Sequence, residues 1–495
     1  MGKRDIMLVM SDQHSWLASG FADENIDTPE LLRIAGEGLR FDHCYCNAPL
    51  CVPSRMSFLT GLLPSELEVF NNDTALPADM PTIAHALGGL GYRTVLIGRM
   101  HFKGDEQKHG FDEHLAGDIT SQYWGTGGVL RDAFGPYAGT TNRLHCLEQV
   151  GGGVSPVMLY DEAVFQETLA FLTAWEKEKK PDEPLFLVVG FYGPHFPFVC
   201  REDRYRKYQG RFSAEACAGE AAIPALSIYE AYQQESSPEH MRNCRAAYCG
   251  LAEQVDEYTG ALYDRFRAME GNHAGMFVYT SDHGEQLGKR KIYGKQTLYE
   301  DAVRVPLVIA GIGIKPAVAE EAVSLLDVSR TLLALADPEH ETTYDWHRGR
   351  VLDWGLPERN SERNPDQHSD QHSRWIPIQQ LLTGRDRRLI FAEAAVDGLY
   401  KVLKAEHQYY VYNLEQDPEE QNNLLEFAEA EAKMQIASAE AAGCFVGESE
   451  REGLLERERQ RLLRQRRLAE WGRQKRPQEW AAAPIPRTML REPTE

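Results

Sequence analysis

The chain has 495 residues, 42% hydrophobic and 26% charged, which is the composition of a soluble globular protein too long for one simple core. Its formal net charge of −22 argues against nucleic-acid binding and against general attraction of anions, so any anion site must be a local cationic pocket. Nine cysteines without a repeating spacing form no disulfide framework, and no run of about 18 apolar residues predicts a membrane span.

The first predicted element is a strand, Ile6 to Met10. The residues before it are basic, but the apolar run is shorter than a secretory core and breaks at Ser11-Asp12-Gln13-His14. A cytoplasmic protein in a reducing compartment, with no membrane and no nucleic-acid partner, is the expectation. Pro29 to Glu37 reads as a helix, and Cys44 and Cys46 lack a second pair at zinc-site spacing. In Cys51-Val52-Pro53-Ser54-Arg55, proline has no N–H to lose in a first helical turn, so Pro53 marks a helix start just after Cys51. Such a terminus points unpaired N–H groups and positive potential toward residue 51, and Arg55 lies one turn in, facing the same end. Taken alone, Cys51 reads first as a buried free thiol, and the residues around it reverse that reading.

Further along, Met80 to Leu90 and Asp161 to Lys179 are helical, and Ser237 to Glu270 has the polar, periodic pattern of a long amphipathic helix. Three more apolar runs end in polar clusters: Thr94 to Ile97 before Gly98-Arg99-Met100-His101, Leu185 to Phe191 before Tyr192-Gly193-Pro194-His195, and Met276 to Thr280 before Ser281-Asp282-His283-Gly284. Together with Ile6 to Met10 these read as buried strands of an α/β sheet, whose ligand site lies at the strands' carboxyl ends. All four clusters should meet there.

Trp354 to Arg374 is polar and reads as an exposed insertion, its His368 and His372 belonging to a solvated loop rather than to a metal pair. Leu389 to Tyr412, with Asp397-Gly398 at a turn, predicts a small antiparallel sheet. Phe427 to Trp471 is helical and Arg/Glu-rich after Ser449, with i,i+4 pairs on a solvated face, and Pro477, Pro484, Pro486 and Pro493 mark an extended tail. The expected division is 1–375 for the main domain, 376–448 for a C-terminal α+β subdomain, and 449–495 for a charged helix and tail that is also a candidate contact between copies of the chain.

Cys51-Val52-Pro53-Ser54-Arg55, followed by Thr60-Gly61, resembles the signature of type I sulfatases of the alkaline phosphatase superfamily. The resemblance extends over roughly residues 5 to 425. The pairs Asp12-Gln13 and Asp282-His283, and the run from Met100 to Asp112, look like the choline sulfatase and phosphonate monoester hydrolase branch, and Tyr412 to Leu424 resembles the ending of sulfatase C-terminal subdomains.

The resemblance implies a large mixed β-sheet sandwiched by helices, α/β in class, with a smaller C-terminal subdomain containing a short antiparallel sheet and helices. It implies an enzyme that hydrolyses a small organic or glycan sulfate ester after a maturase has converted Cys51 to formylglycine, whose hydrate attacks sulfur. Asp12, Gln13, Asp282, His283 and the modified Cys51 would bind one divalent ion, calcium first, with manganese or magnesium as alternatives because Gln and His bring less charge. Arg99, standing where the family has lysine, and Lys295 would face the sulfuryl oxygens, and Arg55 would hold the hydrate. His101 would be a base or orienter, and His195 would protonate the leaving oxygen, Lys295 sharing that task. Asn72 would donate to the oxyanion, unless it is simply a turn residue in Asn71-Asn72-Asp73. Tyr123, Trp124 and His145 are candidates to line a choline site. Hydrolysis of phosphonate monoesters or phosphodiesters by the same site, and non-catalytic anion binding by an unmodified Cys51, are the competing readings.

Overall fold

The apolar runs do become strands, and their register sets the rest of the architecture. The computed structural model describes residues 3–120, 149–180, 182–212, 237–269, 275–337, 344–352, 374–383 and 388–475. The main sheet is built from β1 (Ile6–Asp12), β2 (Leu39–Phe41), β3 (Arg93–Gly98), β4 (Glu113–Leu115), β5 (Leu185–Pro194), β6 (Met276–Ser281), β7 (Leu307–Gly311) and β8 (Ala317–Ala319). These eight strands lie in the order β8-β2-β7-β6-β1-β5-β3-β4. Strand β7 alone runs against its neighbours β6 and β2, so the sheet is mixed as expected.

Both faces of this sheet are covered, which is why its central strands are apolar without alternation. On one face Met7, Val9, Val95, Leu187, Val189 and Tyr279 pack against helices α1 (Pro29–Glu37), α4 (Pro156–Glu178) and α5 (Pro238–Ala268). On the other, Leu8, Met10, Leu96, Val188 and Val278 pack against α2 (Cys51–Thr60), α3 (Ile83–Gly89) and α6 (Leu325–Ala336).

A second sheet follows, an antiparallel meander of β9 (Ile376–Thr383), β10 (Leu389–Val396), β11 (Tyr400–Ala405) and β12 (Gln408–Asn413). Asp397 Oδ1 accepts from Leu399 and Tyr400 N–H in the turn between β10 and β11, where Gly398 supplies φ of 94°. Alternation places Ile390, Ala392, Ala394, Leu403 and Ala405 in the same apolar core as the main sheet, and Ala395, Val402 and Val411 against helix α7 (Glu429–Ala441). The last helix, α8 (Glu448–Lys475), seats Leu454 against Phe70, Leu381, Leu389 and Phe391.

The boundaries differ from the sequence expectations for local reasons. Helix α2 begins at Cys51 itself, with Pro53 inside the first turn. Helix α4 starts at Pro156 because Ser155 caps it, Oγ accepting from Met158 N–H at 3.3 Å, and α3 starts after the capping Thr82. The helical run expected from Phe427 breaks at Gly443, whose φ is 72°. In α8 the charge pairs are Arg459–Glu456 and Arg461–Glu458, three residues apart rather than four. The seven described cysteines are all buried thiols, Cys44 and Cys46 among them. Among the described residues no helix is long and apolar enough to cross a membrane. Tyr123, Trp124, His145, the insertion with His368 and His372, and the proline-rich tail lie outside the described residues.

Candidate active site

Strand β1 sits between β5 and β6, pairing Ser11 with Ser281 and Asp12 with Pro194, so the residues just past three strand ends are adjacent by register. The junction is fastened by short local bonds: His14 N–H donates to Ser281 Oγ at 2.8 Å and Gln13 N–H to Asp282 Oδ1 at 3.0 Å. Gln13 takes a φ of 72° there, a left-handed conformation uncommon for a residue with a side chain.

Asp12, Cys51, Asp282 and His283 present one ligand atom each, all within 4.8 Å of one another, and all four residues are buried. Cys51 Sγ lies 3.2 Å from His283 Nε2 and 3.6 Å from Asp12 Oδ1. His283 Nδ1 is 3.0 Å from the Gly284 carbonyl, so Nδ1 carries the proton and the Nε2 lone pair faces the cluster. Burial, with the Lys295 charge, keeps that imidazole neutral despite Asp282. Two carboxylates and one neutral imidazole lone pair, converging in a buried pocket, are a donor set suited to a divalent cation. The encoded thiol is a poor nucleophile here: burial, and then Asp12, push it up to about 11.

Both arginines serve the carboxylates. Arg55 Nε donates to Asp282 Oδ2 at 2.7 Å, Nη2 to Asp12 Oδ2 at 3.3 Å, and Nη1 to the Arg99 carbonyl at 2.9 Å. Arg99 Nε donates to Asp12 Oδ2 at 2.6 Å, Nη1 to Asp118 Oδ1 at 3.0 Å and to Thr120 Oγ1 at 3.1 Å, and Nη2 to His101 Nδ1 at 2.7 Å, with the guanidinium 4.2 Å from the centre of the Tyr192 ring. The fork expected to face a substrate anion is therefore occupied by protein. Burial alone would raise Asp12, but the charges of Arg99, Lys295 and Arg55 hold its carboxyl well below the usual range.

The two remaining histidines are neutral for the same reason, burial first and neighbouring cations second. His101 accepts from Arg99 at Nδ1, which leaves Nε2–H as a donor. His195 donates from Nδ1 to the Phe196 carbonyl at 2.7 Å, and its Nε2 stands 3.9 Å from Asp12 Oδ1. Asn72 is joined to the nucleophile helix, its Oδ1 accepting from Val52 N–H at 3.0 Å. Lys295 Nζ contacts Gln13 Oε1 and lies 3.9 Å from Asp12 Oδ1.

Lys295 comes from an irregular stretch that the C-terminal sheet grips. Lys401 of β11, fully buried, donates to the Leu298 carbonyl at 2.9 Å and pairs with Glu300 and Glu420 at 2.8 Å each, while Glu420 Oε2 accepts from Glu300 N–H at 2.8 Å. The two carboxylates hold the Lys401 ammonium above its ordinary range against the opposing effect of burial. Lys289 bridges Asp301 and Glu419 at 3.1 and 3.0 Å, and Gln296 N–H donates to the Pro49 carbonyl at 3.0 Å, two residues before Cys51.

Several participants went unread in the sequence. Asp118 and Thr120 follow a three-residue strand with no apolar run to announce it. Asp161, on α4, accepts from Tyr192 and Gly193 N–H at 2.7 and 2.8 Å and so fixes the turn before His195. Lys103, two residues past His101, is a further buried amine in the field of Asp73, Asp118 and Cys51. Glu285 had a signal, since it directly continues the Asp282-His283-Gly284 cluster.

The family profile described as Sulfatase matches residues 4–338. The chain is 30% identical over 444 residues to the choline-sulfatase of Rhizobium meliloti (strain 1021), covering 86% of this chain and 83% of that one. It is 26% identical over 456 residues to an arylsulfatase of Clostridium perfringens (strain 13 / Type A), covering 86% and 90% respectively. Among solved structures, the phosphonate monoester hydrolase SpPMH from Silicibacter pomeroyi superposes with a TM-score of 0.67 at 20% identity, covering 89% of this chain and 94% of that one, which is a likeness of fold.

Proposed function

The chain belongs to the sulfatase family and hydrolyses sulfate esters, and on that premise we propose that it does so at the junction of Asp12, Cys51, Asp282 and His283, on a small organic or carbohydrate sulfate. The observation that carries this reading is the convergence of those four ligating atoms within 4.8 Å at the N-terminus of α2. Choline sulfate is the first ester to try, because the 30% relative is a choline-sulfatase.

Cys51 is converted to formylglycine, whose hydrate supplies the oxygen nucleophile that a thiol held near 11 does not. A divalent cation, calcium first and manganese or magnesium after it, would be held by Asp12, Asp282, His283 and Gln13 together with the converted residue 51, and would supply Lewis acidity toward the sulfuryl group. The donor set fits: two carboxylates suit a dication, and the neutral imidazole and the amide oxygen add lone pairs without further charge.

The chain's own groups then divide the work. Arg55 and Arg99 orient Asp12 and Asp282 and hold the Asp12 carboxyl well below its ordinary range, which makes them positioning residues in this structure. Lys295, its ammonium 3.9 Å from Asp12 Oδ1, stabilises negative charge on the sulfuryl oxygens and offers a proton to the departing alkoxide. His195, neutral with its Nε2 lone pair toward Asp12, accepts a proton rather than donating one at the start of the cycle. His101 presents Nε2–H, and Asn72, tied to Val52 N–H, orients its amide beside residue 51.

Peptide mass spectrometry across Cys51, on protein from a maturation-competent host, combined with a sulfate-release screen over choline sulfate, aryl sulfates and sulfated sugars, tests this reading. The expected result is conversion of thiol to aldehyde and release of inorganic sulfate. Full conversion with faster turnover of a phosphonate monoester or phosphodiester than of any sulfate would overturn the choice of substrate. Sulfate release by protein whose residue 51 is wholly thiol would overturn the nucleophile.

A further inference from the structure

Gln13 is the one proposed ligand whose donor atom is ambiguous, because an amide can present either oxygen or NH2 to the same place. Its surroundings remove the ambiguity. On one side Lys295 Nζ contacts Oε1, and an ammonium has only donors; on the other, Nε2 donates to Oε2 of the Glu285 carboxyl group. Both ends therefore select the same orientation, with the oxygen turned toward Lys295 and Asp12 and the NH2 turned away.

Glu285 is itself held so that it cannot yield. Its Oε1 accepts from Leu287 N–H at 2.9 Å and Gly294 N–H at 2.6 Å, leaving Oε2 for Gln13. Its own N–H donates to the Asp301 carbonyl at 2.9 Å, inside the segment clasped by the C-terminal sheet. The preceding residue must be glycine, since a Cβ on Gly284 would stand 2.0 Å from the Asp301 carbonyl oxygen. The carboxylate is 1% exposed.

We infer that Glu285 is a positioning residue that fixes the Gln13 amide with its oxygen toward the cation site, and that divalent-metal affinity depends on it. The inference rests on the proposal that Gln13 is a metal ligand. Its consequence is atom-specific. In Glu285→Gln the two backbone N–H groups retain the oxygen of residue 285 at Oε1, so an NH2 replaces Oε2 and faces the NH2 of Gln13. Two donors cannot share that contact, so Gln13 loses the bond that anchors its NH2, and its oxygen is no longer fixed toward the ion.

The test is isothermal titration of the metal-free full chain with calcium and with manganese, for the parent, Glu285→Gln, Asp282→Ala and the exchanged pair Gln13→Glu with Glu285→Gln. In the exchanged pair, the carboxylate introduced at position 13 offers oxygen on both sides and the amide introduced at position 285 donates to it, so the same hydrogen bond forms with donor and acceptor reversed. The expected result is a dissociation constant about 10–100-fold weaker for Glu285→Gln, the range for loss of a group that orients a metal ligand, and recovery in the exchanged pair. Melting of the metal-free proteins accompanies the titration, and Glu285→Gln should still melt cooperatively a few degrees below the parent, because both backbone bonds survive while one buried side-chain bond is lost. Parent-like affinity in Glu285→Gln, or no recovery in the exchanged pair, overturns the inference while leaving the metal site intact. A parent that takes up neither ion, or an Asp282→Ala variant that binds as well as the parent, overturns the metal reading and this inference with it.

Discussion

The strand ends and the Lys295 segment put functional groups in place by different means. Asp12, Arg99, His195 and Asp282 stand at or just beyond the ends of neighbouring paired strands, with a register shift between Met10 and Asp12, so the pairing that builds the sheet also assembles them. Lys295 stands in a stretch whose only regular structure is the short turn Lys289–Lys291, and its place depends on Lys401, Glu420 and Glu419 from the C-terminal sheet and on the Pro49 carbonyl. A group at a sheet edge is positioned by the fold itself, whereas a group facing that edge has to be clamped. The clamp explains why a second, smaller sheet shares the main core.

The sharpest way to break the strand-end region is Asp282→Ala, which removes a proposed ligand and leaves the Arg55 guanidinium buried without its closest partner. Sulfate release should fall by at least about 10³-fold and metal uptake should vanish with it. Urea unfolding of the metal-free protein should show a loss of about 3–5 kcal/mol. Retained turnover with retained metal would remove the assigned site.

Lys401→Met addresses the clamp. It removes the ammonium that Glu300 and Glu420 share, leaving Glu300 with Arg304 at 3.8 Å, and should cost about 3–5 kcal/mol in the same unfolding measurement. Turnover measured well below the melting temperature should drop while metal uptake falls less than in Asp282→Ala, because Asp12 and Asp282 keep their contacts. Equal losses of metal and turnover would mean that the two regions are not separable.

A smaller effect separates the strand ends by pH. Burial raises Asp161 to about 7 although two backbone N–H groups favour its ionised form. The folded state thus holds this proton to higher pH than the unfolded chain does. The associated stability is complete below the ordinary carboxylate range, near pH 4, and is lost as pH rises to about 7. In Asp161→Asn the urea-derived stability should fall less between pH 4.5 and 8 than in the parent, by roughly 2–3 kcal/mol after allowing for an effective interior polarity above that of dry protein. Parallel curves for the two proteins would mean that Asp161 ionises normally.

The least effect belongs to Arg457→Ala on α8, whose partner Glu68 is 2.8 Å away with both side chains about half exposed. A change within about 0.5 kcal/mol and unaltered turnover are expected. A larger loss of turnover would show that this pair, rather than Leu454 and the Asn71–Glu458 bond, holds the Asn72 loop.

What the sequence showed follows the same division. Asp12, His195 and Asp282 were legible because an apolar run ending abruptly in polar residues has few explanations other than a buried strand meeting a site, and α1 was legible to the residue from Pro29 to Glu37. Arg99 does follow its predicted strand, but its partners were not foreseen, since Asp118 follows a strand of only three residues. Lys401 looks like any lysine in Tyr400-Lys401-Val402-Leu403, and only the pairing of β11 shows that it shares the core-facing side with Leu403 and Ala405. Long-range ion pairs such as Lys401–Glu420 and Lys289–Glu419 leave no periodicity in a chain, because each partner is locally an ordinary charged residue.

All ten residues of α2, Cys51 included, are sealed from solvent. Another protein that acts on a side chain has to reach the backbone on either side of it, and here that backbone lies beneath the sheet, the Asn72 loop and the Lys295 segment. On the reading proposed above, conversion of Cys51 is then a race against folding. Each molecule is committed to activity or inactivity before its core closes, and a preparation that folded with the thiol intact stays inactive however long a maturase is supplied afterwards, unless it is first unfolded.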